Sequence, residues 1–385
     1  MVKVFGVLTG GGDCPGLNSV LYGIILKIIK AGHKVIGIEK GWKGFLENKT
    51  IDLDLKSLED LHTLGGTLLY TSRTNPYKNA KKNKDPKQRE KAIEEIAKNM
   101  ANKFKQLGID GLIAIGGDDT LGVAAAMHQY ANANIVGVPK TIDNDLSSTD
   151  YTFGYWSAVQ LASNAIDNLK TTARSHQRTL IVQIMGRDAG WLTIASGISS
   201  GASIILIPEK PFDFEVDIVN ILKDRVKKGH KYHIIACSEG AIPSAESLKR
   251  DFQTITHKTI DDLPMDNFGN PLLSNLNMSK IISKELNLRS DLMEWFENYD
   301  TTLEVRDVVL GHTMRAGSPN AFDRILGLRM GVKAAQIALE EEYGMMVCLQ
   351  GENIEVVSLL EGTKRKTISS NSDLIELMEL LTAVI

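Results

Sequence analysis

Thr9-Gly10-Gly11-Gly12-Asp13-Cys14-Pro15-Gly16-Leu17-Asn18 joins a strand-like run at residues 4–8 to an amphipathic stretch at about 18–31. A glycine cluster between strand and helix lets backbone N–H groups approach an anion at the helix N-terminus, where the dipole also favours negative charge. A tight turn of an open α/β sheet reads the same way, so the loop alone leaves both open. It has neither G-x-G-x-x-G spacing nor the lysine of a Walker loop. Glu39, ending the next apolar run, keeps a nicotinamide enzyme in view, because a ribose-binding acid would sit there. Outward from the loop, short apolar runs at 34–38, 111–115, 134–138, 179–184, 203–207 and 233–237 alternate with amphipathic segments. That alternation is the mark of parallel sheets covered by helices, and 385 residues at 43% hydrophobic content suit two α/β lobes.

A net charge of −3 gives no overall positive field, which argues against nucleic acid as the main partner and leaves any anion to local Lys and Arg. Cys14, Cys237 and Cys348 are too few and too scattered for a disulfide framework or a paired-ligand zinc site, so a cytoplasmic location is expected. The N-terminus lacks the features of a signal peptide. Residues 191–208 read as helix then buried strand rather than a membrane span. The lysine-rich residues 77–105 read as a solvated helix without chemistry. From about 244 to 302 the alternation breaks down into an elaboration with Pro264, Pro271, a turn-like Asn267-Phe268-Gly269-Asn270 and helix at 278–286.

Two further loops follow strand-like runs. Gly116-Gly117-Asp118-Asp119-Thr120 places two carboxylates side by side, costly unless a cation joins them, and Mg²⁺ shared with substrate phosphates needs only one or two. Acids capping a helix N-terminus are the plainer alternative. Pro139-Lys140-Thr141-Ile142-Asp143-Asn144-Asp145 sets a cation, a hydroxyl and two carboxylates at a strand's C-terminal end, the edge where open α/β sheets bind ligands. A carboxylate there suits a general base and Lys140 a charge neutraliser; a solvated Asx turn is the alternative.

These loops, with residues 65–76, Ser175-His176-Gln177-Arg178, Met185-Gly186-Arg187, Ser238-Glu239-Gly240 and Leu310-Gly311-His312 running to Arg315-Ala316-Gly317-Ser318-Pro319, resemble the phosphofructokinase family in kind and in order. The resemblance implies two Rossmann-like, three-layer α/β lobes with largely parallel sheets. Residues 1–155 with about 314–364 would hold the phosphoryl donor and Mg²⁺, and 156–313 with about 365–385 the sugar phosphate. It implies Asp143 as the base for the sugar 1-hydroxyl, Thr141 and Asp145 positioning nucleophile and metal, and Gly11, Gly12, Arg73 and Thr120 around the donor. Asp118 with Asp145 would carry Mg²⁺. Met185, Gly186, Arg187 and Glu239 would grip fructose 6-phosphate, His312 and Arg315 would close on its phosphate, and Arg178 and Arg306 would reach a neighbouring subunit, making the enzyme a homo-oligomer.

The family holds both ATP and pyrophosphate users. ATP users typically carry glycine where Asp119 stands, leaving room for the α-phosphate. A carboxylate there occupies that room and, about 4 Å from a phosphate charge at an effective dielectric near 20, repels it by roughly 4 kcal/mol. Asp119, supported by Lys140, therefore implies pyrophosphate, with an ATP-dependent enzyme as the alternative. A sensor subunit without activity fits less well, since Asp118, Asp143 and Asp145 are all present. Gln183, Asp188 and Thr313-Met314 depart from the family pattern and touch sugar selection, including whether sedoheptulose 7-phosphate is accepted.

Overall fold

The computed structural model describes residues 1–255 and 276–384. Among these, eleven strands follow in chain order: β1 (Val4–Thr9), β2 (Lys34–Ile38), β3 (Thr50–Leu53), β4 (Gly111–Gly116), β5 (Ile135–Pro139), β6 (Thr179–Ile184), β7 (Ile204–Leu206), β8 (His233–Ser238), β9 (Val305–Val309), β10 (Met345–Gln350) and β11 (Asn353–Ser358). The chain divides into two compact units, Met1–Ser157 with Arg315–Lys366, and Ala158–Met314 with Thr367–Ile385.

The first unit contains a seven-stranded sheet in the order β11-β10-β5-β4-β1-β2-β3. Its interior pairs are parallel, while β3 and β11 are antiparallel additions at the two edges. The alternation of side chains explains the continuous apolar runs. Leu112 and Ala114 join a core with Leu121 and Val123 of the helix Asp118–Ala131, while Ile113 and Ile115 are buried on the opposite face. The helices Leu17–Lys30 and Ala321–Leu339 cross at close range because glycine stands at the crossing. A Cβ at Gly331 would lie 2.3 Å from Val20 O, and one at Gly23 would lie 2.6 Å from Leu328 O.

The second unit has a four-stranded, all-parallel sheet, β7-β8-β6-β9. Here the elaboration acquires a structural role. The helix Met278–Asn287 buries Ile282 and Leu286, and Asn287 bonds both the N–H and the C=O of Val305, covering part of the β9 edge. The turn-like residues 267–270, with Pro264 and Pro271, lie outside the described residues.

Residues 77–105 form three helical pieces rather than one: Lys78–Lys81, Pro86–Ala101 and Lys103–Leu107. The middle piece starts at Asp85, whose side chain caps Lys87 N with Pro86 in the first turn, and it buries only Ala97 and Met100. Among the described residues no helix is long and apolar enough to cross a membrane.

Candidate active site

In the first unit, three strand ends converge. Gly10 N donates to Ile115 O (2.9 Å), tying the glycine loop to β4, and Lys140 N donates to Gly116 O (2.9 Å), tying β5 to the same strand end. Gly11 N donates to Ser72 O (3.0 Å) and Thr71 Oγ1 to Gly11 O (2.7 Å), which brings exposed Arg73 alongside the loop. Gly11 has φ 84, a conformation that favours glycine. Gly12 carries the next constraint: a Cβ there would sit 2.8 Å from Arg315 Nη1, and that guanidinium also donates to Asp13 O (3.2 Å).

Lys140 lies beneath the loop, 4% exposed, with Nζ donating to Gly12 O. Burial, and secondarily the nearby Arg315 charge, pushes its ammonium below the ordinary lysine range. Thr141 Oγ1 accepts from Asp143 N (3.0 Å), folding the loop so that Asp143 is half-buried. Asn144, in the left-handed region at φ 50, holds the turn: its Oδ1 accepts from Thr152 N (3.1 Å) and its Nδ2 donates to Asp150 O (3.3 Å).

Asp118 opens the helix Asp118–Ala131. Its Oδ1 accepts from Asp119 N (2.8 Å), and its Oδ2 accepts from Arg365 Nη2 (2.7 Å) and Nε (3.1 Å). Burial first, and the facing Asp118 charge second, push Asp145 above the ordinary carboxylate range. Two carboxylates in this mutual field, one of them largely desolvated, suit a hard divalent cation that substrate phosphates help to ligate. Thr120 is 4% exposed and packs over Gly10 and Gly116, so its side chain is part of the loop's support.

Asp119 lies differently from its neighbour. Its side chain is 75% exposed, and Oδ1 accepts from Asn75 Nδ2 (3.0 Å) with Lys81 Nζ at 3.4 Å. The lysine-rich segment therefore reaches the candidate site. Arg365 and Lys81 carry no local mark of this role, since Lys364-Arg365-Lys366 and residues 77–105 look like ordinary solvated charge, while Asn75 lies within the 65–76 motif without a role of its own there. Their placement depends on chain crossings: Lys366 N donates to Asp145 O (2.9 Å) and Ser147 N to Lys364 O (2.8 Å), laying this strap against the Asp145 loop.

Under the glycine loop, Asp323 is fully buried and its Oδ2 accepts from Ser157 N and Oγ (2.6 Å each). Burial pushes its carboxyl up to about 6. Because the folded value lies above the unfolded one, near 3.9, the stability contributed by the bound proton is complete below about pH 4 and is lost as pH rises through 6. In urea unfolding, wild type relative to Asp323→Asn is expected to lose up to about 3 kcal/mol between pH 4 and 7. A pH-independent difference would exclude the ionisation.

The second unit gathers candidate residues at the C-terminal ends of its strands. Glu239 N donates to Ile184 O (2.8 Å) and Gly240 N to Gly186 O (3.1 Å), so half-buried Glu239 stands beside residues 185–187. Leu310 N donates to Gln183 O (3.1 Å), and Met185 N approaches Met314 Sδ (3.4 Å), bringing exposed His312 to the same edge. The departures from the family pattern have visible partners: Asp188 takes the Arg187 guanidinium at 3.2 and 3.3 Å, and Gln183 Oε1 accepts from Ser279 Oγ (2.9 Å).

Arg178 and Arg306 are not at that edge. They flank the N-terminal ends of β6 and β9, both against Glu304: Arg178 Nε lies 2.9 Å from Oε2, and Arg306 Nη2 lies 2.6 Å from Oε1. These arginines hold the Glu304 carboxyl below its ordinary range. Six strand residues at about 3.3 Å each put roughly 20 Å between the two ends of the sheet.

Residues 4–338 match the family model described as phosphofructokinase. The chain is 41% identical over 361 residues to a pyrophosphate--fructose 6-phosphate 1-phosphotransferase of Amycolatopsis methanolica, covering 93% of this chain and 94% of that one. It is also 38% identical over 365 residues to ATP-dependent 6-phosphofructokinase 2 of Streptomyces coelicolor, covering 94% and 96%. A solved pyrophosphate-dependent phosphofructokinase from Marinobacter aquaeolei superposes with a TM-score of 0.72 at 20% identity, covering 99% of this chain and 92% of that one, a likeness of fold.

Proposed function

Because the chain belongs to the phosphofructokinase family, we propose that it transfers a phosphoryl group reversibly from pyrophosphate to the 1-hydroxyl of fructose 6-phosphate, giving fructose 1,6-bisphosphate and phosphate. The single observation that carries the choice of donor is Asp119 in the first turn of the helix Asp118–Ala131, beside the glycine loop's strand end. A side chain there takes space that a longer donor would need. Since Lys81 offsets part of its charge, bulk contributes more to exclusion than repulsion does.

On this reading Asp143 accepts the proton of the 1-hydroxyl as that oxygen bonds to phosphorus, and the bridging P–O bond breaks to release phosphate. Thr141 orients the Asp143 loop. Lys140, dehydrated and fixed on Gly12 O, presents its charge to the donor with little reorganisation. Gly11, Gly12 and Arg73 surround the donor. Asp118, oriented by Arg365, and Asp145 would hold Mg²⁺, which when bound neutralises charge on the transferring phosphate. Met185, Gly186, Arg187, Glu239, His312 and Arg315 take the sugar phosphate. Arg178 and Arg306, at the wrong end of their sheet to join those residues, serve a neighbouring subunit, so the working enzyme is a homo-oligomer. Three buried free cysteines suit the cytoplasm.

A second reading, the ATP-dependent enzyme, draws on the outward, paired position of Asp119. Purified full-length protein assayed with Mg²⁺, fructose 6-phosphate and either donor separates the two. The pyrophosphate rate is expected to exceed the ATP rate at least a hundredfold; the reverse order overturns the proposal.

A further inference from the structure

The second unit carries a cavity of about 420 Å³ along β7, the outer strand of its sheet. None of its lining residues belongs to the candidate active site. The apolar part of its wall is β7 on one side, with Phe212, Ile221 and, from the helix Asp373–Val384, Met378; polar and charged side chains complete the lining. Lys210 and three acids also line it, and each acid already has a partner, Glu379 within the lining itself. Glu379 pairs with Lys210 (2.6 Å) and Asp224 with Lys228 (3.1 Å), while Asp217 Oδ2 accepts from Asp213 N (2.7 Å).

Arg225 also lines this cavity and is only 5% exposed. Its Nε donates to His233 Nδ1 (3.1 Å), and among the described residues its Nη1 has no hydrogen-bond partner. His233 provides no counter-charge: burial, and then the Arg225 charge, hold its imidazole down at about 3, so the ring is neutral. Of the carboxylates that share its cavity, Asp217 accepts from Asp213 N and Asp224 pairs with Lys228, and among the described residues none is hydrogen-bonded to Arg225. A guanidinium cannot shed its proton, so burial without a counter-ion is unfavourable and an arriving anion relieves it. A recess of several hundred Å³ with an apolar wall and a few fixed polar groups, one of them a desolvated guanidinium, has the build of a small-molecule site.

We propose that this cavity binds a small organic anion with an apolar body, its carboxylate held by Arg225 and its chain laid along β7. The inference does not depend on which phosphoryl donor the enzyme uses, nor on catalysis.

Octanoate and its neutral analogue octanamide test it by calorimetry on the full chain. Octanoate is expected to bind saturably and at least tenfold more tightly than octanamide, and Arg225→Met should bring that preference below about threefold. Equal binding of the two probes by wild type, no binding of either, or an unchanged preference in Arg225→Met overturns the proposal. Should Arg225→Met fail to fold, Ile221→Trp fills the cavity with Arg225 intact. It should abolish octanoate binding while leaving phosphoryl transfer unchanged, and octanoate binding that survives it places the anion elsewhere.

Discussion

Asp143→Asn is expected to lower kcat by about a thousandfold in both directions, within the range a positioned general base contributes, with KM for fructose 6-phosphate changed by no more than about threefold. The amide keeps the side-chain volume and leaves the Asp143 N to Thr141 Oγ1 bond untouched, so the loop should hold its shape. What disappears is the acceptor for the 1-hydroxyl proton. The opposed sheet ends add a second arm. Arg178→Ala chains, weakened in sugar-phosphate binding, should regain activity when reassembled with Asp143→Asn chains, because an intact Asp143 would then meet an intact Arg178 across subunits. Activity of Asp143→Asn within tenfold of wild type would remove it from the role of base, and absence of complementation would place Arg178 outside any shared site.

Replacing Asp119 and Lys140 together by glycine is expected to exchange donors. Pyrophosphate kcat/KM should fall by two to three orders of magnitude, since a preorganised charge on a transferring phosphoryl group contributes on that scale. ATP use should rise at least tenfold. Asp119→Gly alone separates the contributions: it removes the side chain and frees Lys81 and Asn75, while Lys140 stays anchored on Gly12 O. If ATP turnover stays at its wild-type level in both variants, the space taken by Asp119 does not select the donor. Steady-state kinetics with each donor reads all of these effects.

The central strands were legible because a strand covered on both faces is written as an apolar run, and β1, β2, β4, β5, β6 and β8 all appear that way, as does β7, an edge strand whose residues are all buried. The other edge strands do not. Thr50–Leu53 and Asn353–Ser358 are largely exposed and antiparallel, and β9 places Arg306 and Asp307 within its five residues. β10 is as apolar as the central strands, and nothing in its composition hides it. For the site, motifs fixed in sequence register around the three loops marked the residues that could do chemistry. They did not mark the groups that orient them. Arg365 lies 247 residues from Asp118 and Asn75 lies 44 from Asp119, and a lysine such as Lys81 in a charged run has no local feature separating it from its solvated neighbours.

The helix crossing at Gly23 and Gly331 has a consequence for synthesis. The apolar face of Leu17–Lys30 waits for a helix that begins at Ala321, and β5 waits for β10 at Met345. At about 5–20 residues per second, the 157 residues from 158 to 314 take roughly 8 to 30 seconds to appear. Throughout that interval the nascent first unit leaves Val20, Gly23 and Ile24 without the helix they pack against, and the β5 edge without its partner strand. The ribosome-bound protein is thus a natural client for holdase chaperones until the residues from 315 onward emerge.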